Sequence, residues 1–175
     1  MSVLRLETGA FELGEVIGVL ESFISNPADG LPEELFLFIS RVTPLINVDL
    51  LIKNEQNQTL LTWRDDGCYP HGWHVPGGII RYKETIVDRV KMVAKNELGV
   101  EVEFYQAPMA INEIIKTTQK NRGHFISLLY KCSLITQPDE RLMCKGKSPN
   151  PNEWMWHRYC PADIIPVHEI YRNFI

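Results

Sequence analysis

Residues 73–100 read WHVPGGIIRYKETIVDRVKMVAKNELGV. The first three residues have the character of a strand, and Pro76-Gly77-Gly78 that of a turn. From about Thr85 onward the segment reads as an amphipathic helix that Gly99 ends. Ile86, Val90, Val93 and Glu97 fall on one face of that helix. An acid therefore closes an apolar stripe. Such a side chain is buried with a partner, coordinates something, or is a partly exposed glutamate at a helix end. Glycine tolerates close backbone approach, so the Gly77-Gly78 pair lets a carbonyl be turned toward a bound cation. Hard cations such as Mg²⁺ take oxygen ligands and keep several waters. A carbonyl and one or two carboxylates suffice when substrate phosphates complete the shell.

Upstream of this stretch the hydrophobic period is two. Ile46, Val48, Leu50 and Ile52 alternate with Asn47, Asp49 and Lys53. The polar run Asn54 to Gln58 separates them from Thr59–Trp63, which reads as the returning strand of a hairpin. Asp65 to Gly72 is rich in turn formers. Further upstream, Leu13, Val16, Ile17, Leu20 and Ile24 have helical spacing, and Asn26-Pro27 ends that pattern. A second helix is expected after Pro32, with Glu33 and Glu34 in its first turn and Pro44 closing it. These two helices either pack on the protein's own core or form a dimer interface. Downstream, strands are expected at 100–105, 108–114, 124–132 and 153–159, with a closing helix over 163–175. We therefore expect residues 1–43 to be a helical extension and 44–175 one α+β sandwich domain with a mixed sheet.

The chain has 175 residues, enough for one domain with a substantial core. Its net charge of −4 includes no basic run, so duplex nucleic acid is not expected as a partner. Cys68, Cys132, Cys144 and Cys160 show no C-x-x-C spacing, which argues against a zinc or redox motif. No apolar run approaches the length of a membrane span, and the N-terminus lacks the pattern of a signal peptide. A soluble, cytoplasmic protein without a membrane partner is the expectation.

The frame Gly78, five residues, Glu84, seven residues, then Met92 to Gly99 resembles the box of the Nudix hydrolase superfamily. The family's helical tail has the form Arg-Glu-x-x-Glu-Glu-x-Gly. Here Met92 stands for the arginine, and Val93 and Asn96 stand for two of the acids, while Glu97 is kept. The resemblance implies a Nudix-type α/β/α sandwich that holds a divalent cation, Mg²⁺ with Mn²⁺ as a substitute. Gly77 would give the carbonyl ligand and Glu97 the carboxylate, and the Asn96 amide could supply a neutral oxygen. Without the Met92-position arginine, Glu84 is expected to face solvent as a first-turn acid.

Within that superfamily the chain looks most like the GDP-mannose mannosyl hydrolase branch, whose box is also short of acids. The resemblance extends to residues 44–52, to Leu60-Leu61-Thr62-Trp63-Arg64, to residues 72–78 and to His124-Phe125. It implies hydrolysis of a nucleotide-sugar at the anomeric carbon, with nucleoside diphosphate leaving. Arg64 then matches an arginine that contacts the diphosphate. Arg81 is a second candidate, since a planar donor fork suits phosphate oxygens. Asp49 could contact sugar or base, and is otherwise a hydrogen-bonded acid on a solvated face. His74 could touch substrate or simply pack, and Tyr69 is the candidate for stacking on a base.

The branch places a catalytic histidine in a late loop. The corresponding residues 147–156 contain none here. Glu153 and His157 are the nearest candidate bases, and Asn150 could lend a carbonyl to the metal. Two alternatives stay open: phosphoanhydride cleavage of another nucleoside diphosphate derivative, and a non-catalytic module that binds a nucleotide-sugar.

Overall fold

The computed structural model describes residues 12–67, 70–146 and 148–175. Eight strands and three α-helices are present among them, with three short 3-10 turns. Helices α1 (Leu13–Ser22) and α2 (Glu33–Val42) come first. Strands β1 (Leu45–Ile52), β2 (Thr59–Arg64), β3 (Gly72–His74) and β4 (Gly77–Ile79) follow, then α3 (Ile86–Leu98). The remainder is β5 (Val102–Phe104), β6 (Ala110–Ile115), β7 (His124–Leu134) and β8 (Trp154–His157). The architecture is α+β, with a mixed five-stranded sheet and a second sheet of three.

In the larger sheet β4, β1, β7 and β5 lie side by side, and β6 also pairs with β7. Strands β1 and β7 run parallel over eight residue pairs, Leu45 opposite Phe125 through Ile52 opposite Cys132. The smaller sheet has the order β3-β2-β8. The hairpin expected between β1 and β2 is therefore absent. The two strands separate into different sheets after a single bridge, Lys53 to Thr59. Both edges of β1 are occupied by β4 and β7, so β2 cannot join it, and its nearly continuous apolar run is buried on both faces instead.

Helix α3 seals one side of the core. Thr85 caps it by accepting from the Asp88 N–H at 3.1 Å, and Gly99 ends it in the left-handed conformation. Val90, Val93, Ala94 and Leu98 pack with Val48, Leu50, Ile52 and Tyr130 into one cluster. A second cluster holds Leu51, Leu61, Trp63, Trp73, Leu129 and Tyr171 between the sheets. The Gly77-Gly78 segment read as a turn is the edge strand β4. Its glycines are required by close approach: a Cβ on Gly78 would lie 2.8 Å from Val93 Cγ2. The closing helix expected over 163–175 is reduced to a 3-10 segment, Pro166–Tyr171.

Helix α2 docks on the β6–β7 hairpin, where Ser40 is buried and accepts the Arg122 N–H at 3.1 Å. Helix α1 buries none of its residues. No helix among the described residues is long and apolar enough to cross a membrane. Cys132 and Cys144 are buried free thiols, and burial pushes Cys132 up to about 12.

Candidate functional site

A cavity of about 450 Å³ opens between the two sheets, at the ends of β1, β2 and β4. Asn47 and Asp49 of β1, Thr62 and Arg64 of β2, and His74 of β3 line it. Gly77 and Gly78 of β4, Glu97 of α3, Arg122 of the β6–β7 loop and His168 of the C-terminal 3-10 segment complete the polar wall.

Glu97 stands at the helix end that faces β4. Its Oε1 accepts the Gly77 N–H at 3.1 Å, and its Oε2 lies 3.3 Å from His74 Nε2. His74 is anchored through Nδ1, 2.9 Å from the Thr62 carbonyl. Leu50 N–H donates to the Pro76 carbonyl at 2.8 Å and Ile80 N–H to the Ile46 carbonyl at 3.0 Å. By the alternation of an antiparallel ladder, the N–H and C=O of Gly77 therefore point away from β1, off the edge of the sheet. That is the edge Glu97 approaches. Only glycine fits this position, because a Cβ there would lie 2.2 Å from Asp49 Oδ1.

Asp49 is 1% exposed, although the alternation of its strand places it on the polar phase. The polar phase of β1 faces the cavity, not solvent. Its Oδ2 accepts from Ser127 Oγ and from the Tyr171 hydroxyl at 2.5 Å, and its Oδ1 accepts from Asn47 Nδ2 at 2.8 Å. Burial pushes the carboxyl up from its ordinary value, and the three hydrogen bonds oppose that rise. A carboxylate offers about four acceptor positions, so one remains on Oδ1 for a ligand. His168 Nε2 is 3.9 Å from that oxygen. His168 Nδ1 accepts the Val75 N–H at 3.0 Å, which fixes the neutral imidazole with its proton on Nε2. Burial, with His74 nearby, holds His168 well below the usual imidazole range.

The structure brings Glu97, Gly77, His74, Asp49 and Arg64 to one cavity and leaves other expected residues outside its lining. Arg64 is at the mouth, paired with Asp66. Arg81 is turned to the N-terminal segment, with NH1 3.4 Å from the Ala28 carbonyl. Asn96 is exposed and does not line the cavity. Asn150 and Glu153 bind each other, Nδ2 to Oε1 at 2.9 Å, while the following Pro151 and Asn152 reach the lining. His157 is buried against the Trp73 ring, at 4.6 Å between centroids, and does not line the cavity. Tyr69 lies outside the described residues.

Glu84 does not face solvent as expected. Arg89 Nε donates to its Oε2 at 2.8 Å, and Arg89 NH2 makes an ion-pair contact of 2.7 Å with the same oxygen. A guanidinium three positions earlier on the helix takes the place of the one missing at Met92. Sequence reasoning also missed His168 and Arg122. Each sits in a segment without local chemical signature, and only the tertiary fold brings it to the cavity.

The donor set for a cation is thin. Among the described residues no group of three His, Cys, Asp or Glu side chains is arranged to hold a metal ion. Glu97 and the outward carbonyl of Gly77 are nevertheless two oxygen donors at one edge. They suit a hard cation that keeps water and shares substrate phosphates, and they do not suit a closed all-protein cage.

No protein-family model matches the chain. A 77-residue stretch is 37% identical to the low-salt glycan biosynthesis protein Agl8 of Haloferax volcanii, covering 44% of this chain and 49% of that protein. The chain thus matches about half the length of this curated relative. Among solved structures, a MutT NUDIX hydrolase from Burkholderia pseudomallei superposes with a TM-score of 0.61 at 16% identity, over 76% of this chain and 98% of that one. A UDP-X diphosphatase superposes with a TM-score of 0.55 at 13% identity, over 92% and 87%. A mixed sheet with α3 packed across the glycine edge strand, and structural neighbours of this one kind, show that the chain has the Nudix fold.

Proposed function

We propose that this protein is a Mg²⁺-dependent hydrolase of a nucleotide-sugar, releasing nucleoside diphosphate and free sugar by attack at the anomeric carbon. Mn²⁺ substitutes for Mg²⁺ on this reading. The observation that carries it is that Glu97 is the single carboxylate of α3 in the cavity: Val93 is in the core and Asn96 faces solvent. One carboxylate and one carbonyl suit one ion. They do not supply the anionic charge that gathers several ions around an attacking water.

A single bound cation would act as a Lewis acid on the diphosphate and ease its departure. The chain's own residues bind and orient the substrate and the metal ligand. Arg64, at the mouth, places a delocalised charge where the departing diphosphate oxygens develop theirs. Asp49, deep in the cavity, has one acceptor position left for a sugar hydroxyl. His74 and the Gly77 N–H hold the Glu97 carboxylate in one orientation. The match to a glycan biosynthesis protein is consistent with a nucleotide-sugar as substrate.

The test is incubation of the purified protein with a panel of nucleotide-sugars and Mg²⁺, with products followed by ³¹P NMR. Nucleoside diphosphate is the expected phosphorus product. Nucleoside monophosphate with sugar phosphate would move the reaction to a phosphoanhydride bond. No turnover across the panel, with ligand bound, would make the domain a binding module.

A further inference from the structure

Arg122 lines the same cavity as Arg64 but enters it from the other sheet. Arg64 ends β2 in the three-stranded sheet, whereas Arg122 precedes β7 in the five-stranded sheet. Arg122 has φ of 52°, a conformation that non-glycine residues seldom adopt and that persists only where surroundings impose it.

Those surroundings are helix α2. The Arg122 N–H donates to Ser40 Oγ at 3.1 Å, and Ser40 in turn donates to the Leu37 carbonyl at 2.8 Å. The Arg122 guanidinium lies 4.8 Å over the Phe36 ring. The neighbouring Asn121 Oδ1 accepts from Arg41 NH1 at 3.0 Å. Ser40 and Phe36 of α2 thus hold the backbone and the guanidinium of Arg122, and Arg41 of α2 holds the residue before it. Its guanidinium also meets a carboxylate. Glu33 Oε1 is 3.5 Å from NH2, and the Glu33 side chain is 65% exposed, so this pair is weak and screened. An arriving phosphate, with more charge and two oxygens spaced to accept both N–H groups of the planar guanidinium fork, can displace it.

We propose that Arg122 is a phosphate-binding residue of the cavity, that it grips the substrate diphosphate from the wall facing Arg64, and that α2 is its mount. The N-terminal helical segment then has a role in substrate binding without itself lining the site. This rests on the nucleoside diphosphate reading of the cavity given above.

The experiment is calorimetric titration of GDP, UDP, ADP and inorganic pyrophosphate, each with Mg²⁺, into the wild type and into the variants R122A, R122K and S40A. R122A should weaken the tightest nucleoside diphosphate, and pyrophosphate with it, by about ten- to hundredfold. R122K keeps the charge and its place over Phe36 but loses the fork, so it should fall between R122A and the wild type. It also serves if R122A does not fold. S40A should weaken the same ligands severalfold although Ser40 does not line the cavity. Equal affinity of wild type, R122A and R122K for these ligands would overturn the role of Arg122. Failure of the wild type to bind any of the four would overturn the reading of the cavity itself.

Discussion

Arg89 donates from Nε to Oε2 of Glu84 at 2.8 Å, across the first turns of α3, with both side chains largely buried. The pair keeps the connection between β4 and α3 fastened to the helix, because the same Glu84 oxygen accepts the Arg81 N–H at 2.9 Å. One buried ion pair thus anchors the start of α3, with its cation at position 89.

Removing that cation should be costly. Arg89→Met leaves a largely buried carboxylate without its cationic partner and should lower the unfolding free energy by roughly 3 kcal/mol. Met92→Arg added to it should recover part of the loss, since positions 89 and 92 are neighbours on the helix surface. Urea denaturation checks both. A single variant within about 0.5 kcal/mol of wild type, as for an ordinary surface substitution, would mean that the pair contributes nothing measurable.

Glu97→Gln keeps the size of the side chain and its acceptor for the Gly77 N–H, and removes the charge. Metal-dependent turnover should be lost while the thermal midpoint changes little. The variant should also lose Mg²⁺ or Mn²⁺ binding in calorimetry. Undiminished turnover would remove Glu97 from the mechanism.

Tyr171→Phe deletes a donor to the buried Asp49 carboxylate. A hydrogen bond to a buried charged group is worth about 1.5–3 kcal/mol, and stability should fall in that range. The Asp49 carboxyl, already raised by burial, should rise further with one donor fewer. Carbon-detected NMR titration of the Asp49 carboxyl reads this directly, and an unshifted midpoint would contradict the hydrogen bond.

Two histidines make the fold sensitive to acid. Burial depresses His168 well below the ordinary value of 6.5 and depresses His157 as well. Below about 6.5 the unfolded chain takes up protons that the folded protein refuses, so stability falls as pH drops from 6.5 toward the folded-state values. The thermal midpoint should therefore decline between pH 7 and pH 5. His157→Phe keeps an aromatic ring against Trp73 and removes one titrating group, so its decline should be shallower. An unchanged decline in that variant would remove His157 from the effect.

Much of the local structure was legible in residues 73–100. The helix, its glycine end, the placement of Glu97 and the buried stripe through Val90 and Val93 follow from a 3.6-residue period. The N-terminal helices were legible from spacing and from Pro32. Pairing was not: β1 and β2 read as a hairpin because sequence shows each strand's apolar run but not which edges are already occupied. The environment of Asp49 was equally hidden. Alternation shows that it lies opposite Val48 and Leu50, and only the second sheet and Tyr171, 122 residues later, make that face interior. His168 and Arg122 carry no local pattern, so their presence in the cavity depends wholly on long-range packing.

The most direct test of the proposed reaction is turnover of a nucleotide-sugar in ¹⁸O-labelled water with Mg²⁺, followed by mass spectrometry of both products. The account predicts the label in the released sugar and none in the nucleoside diphosphate, since water attacks carbon. Label in a phosphate would place the attack at phosphorus and contradict it.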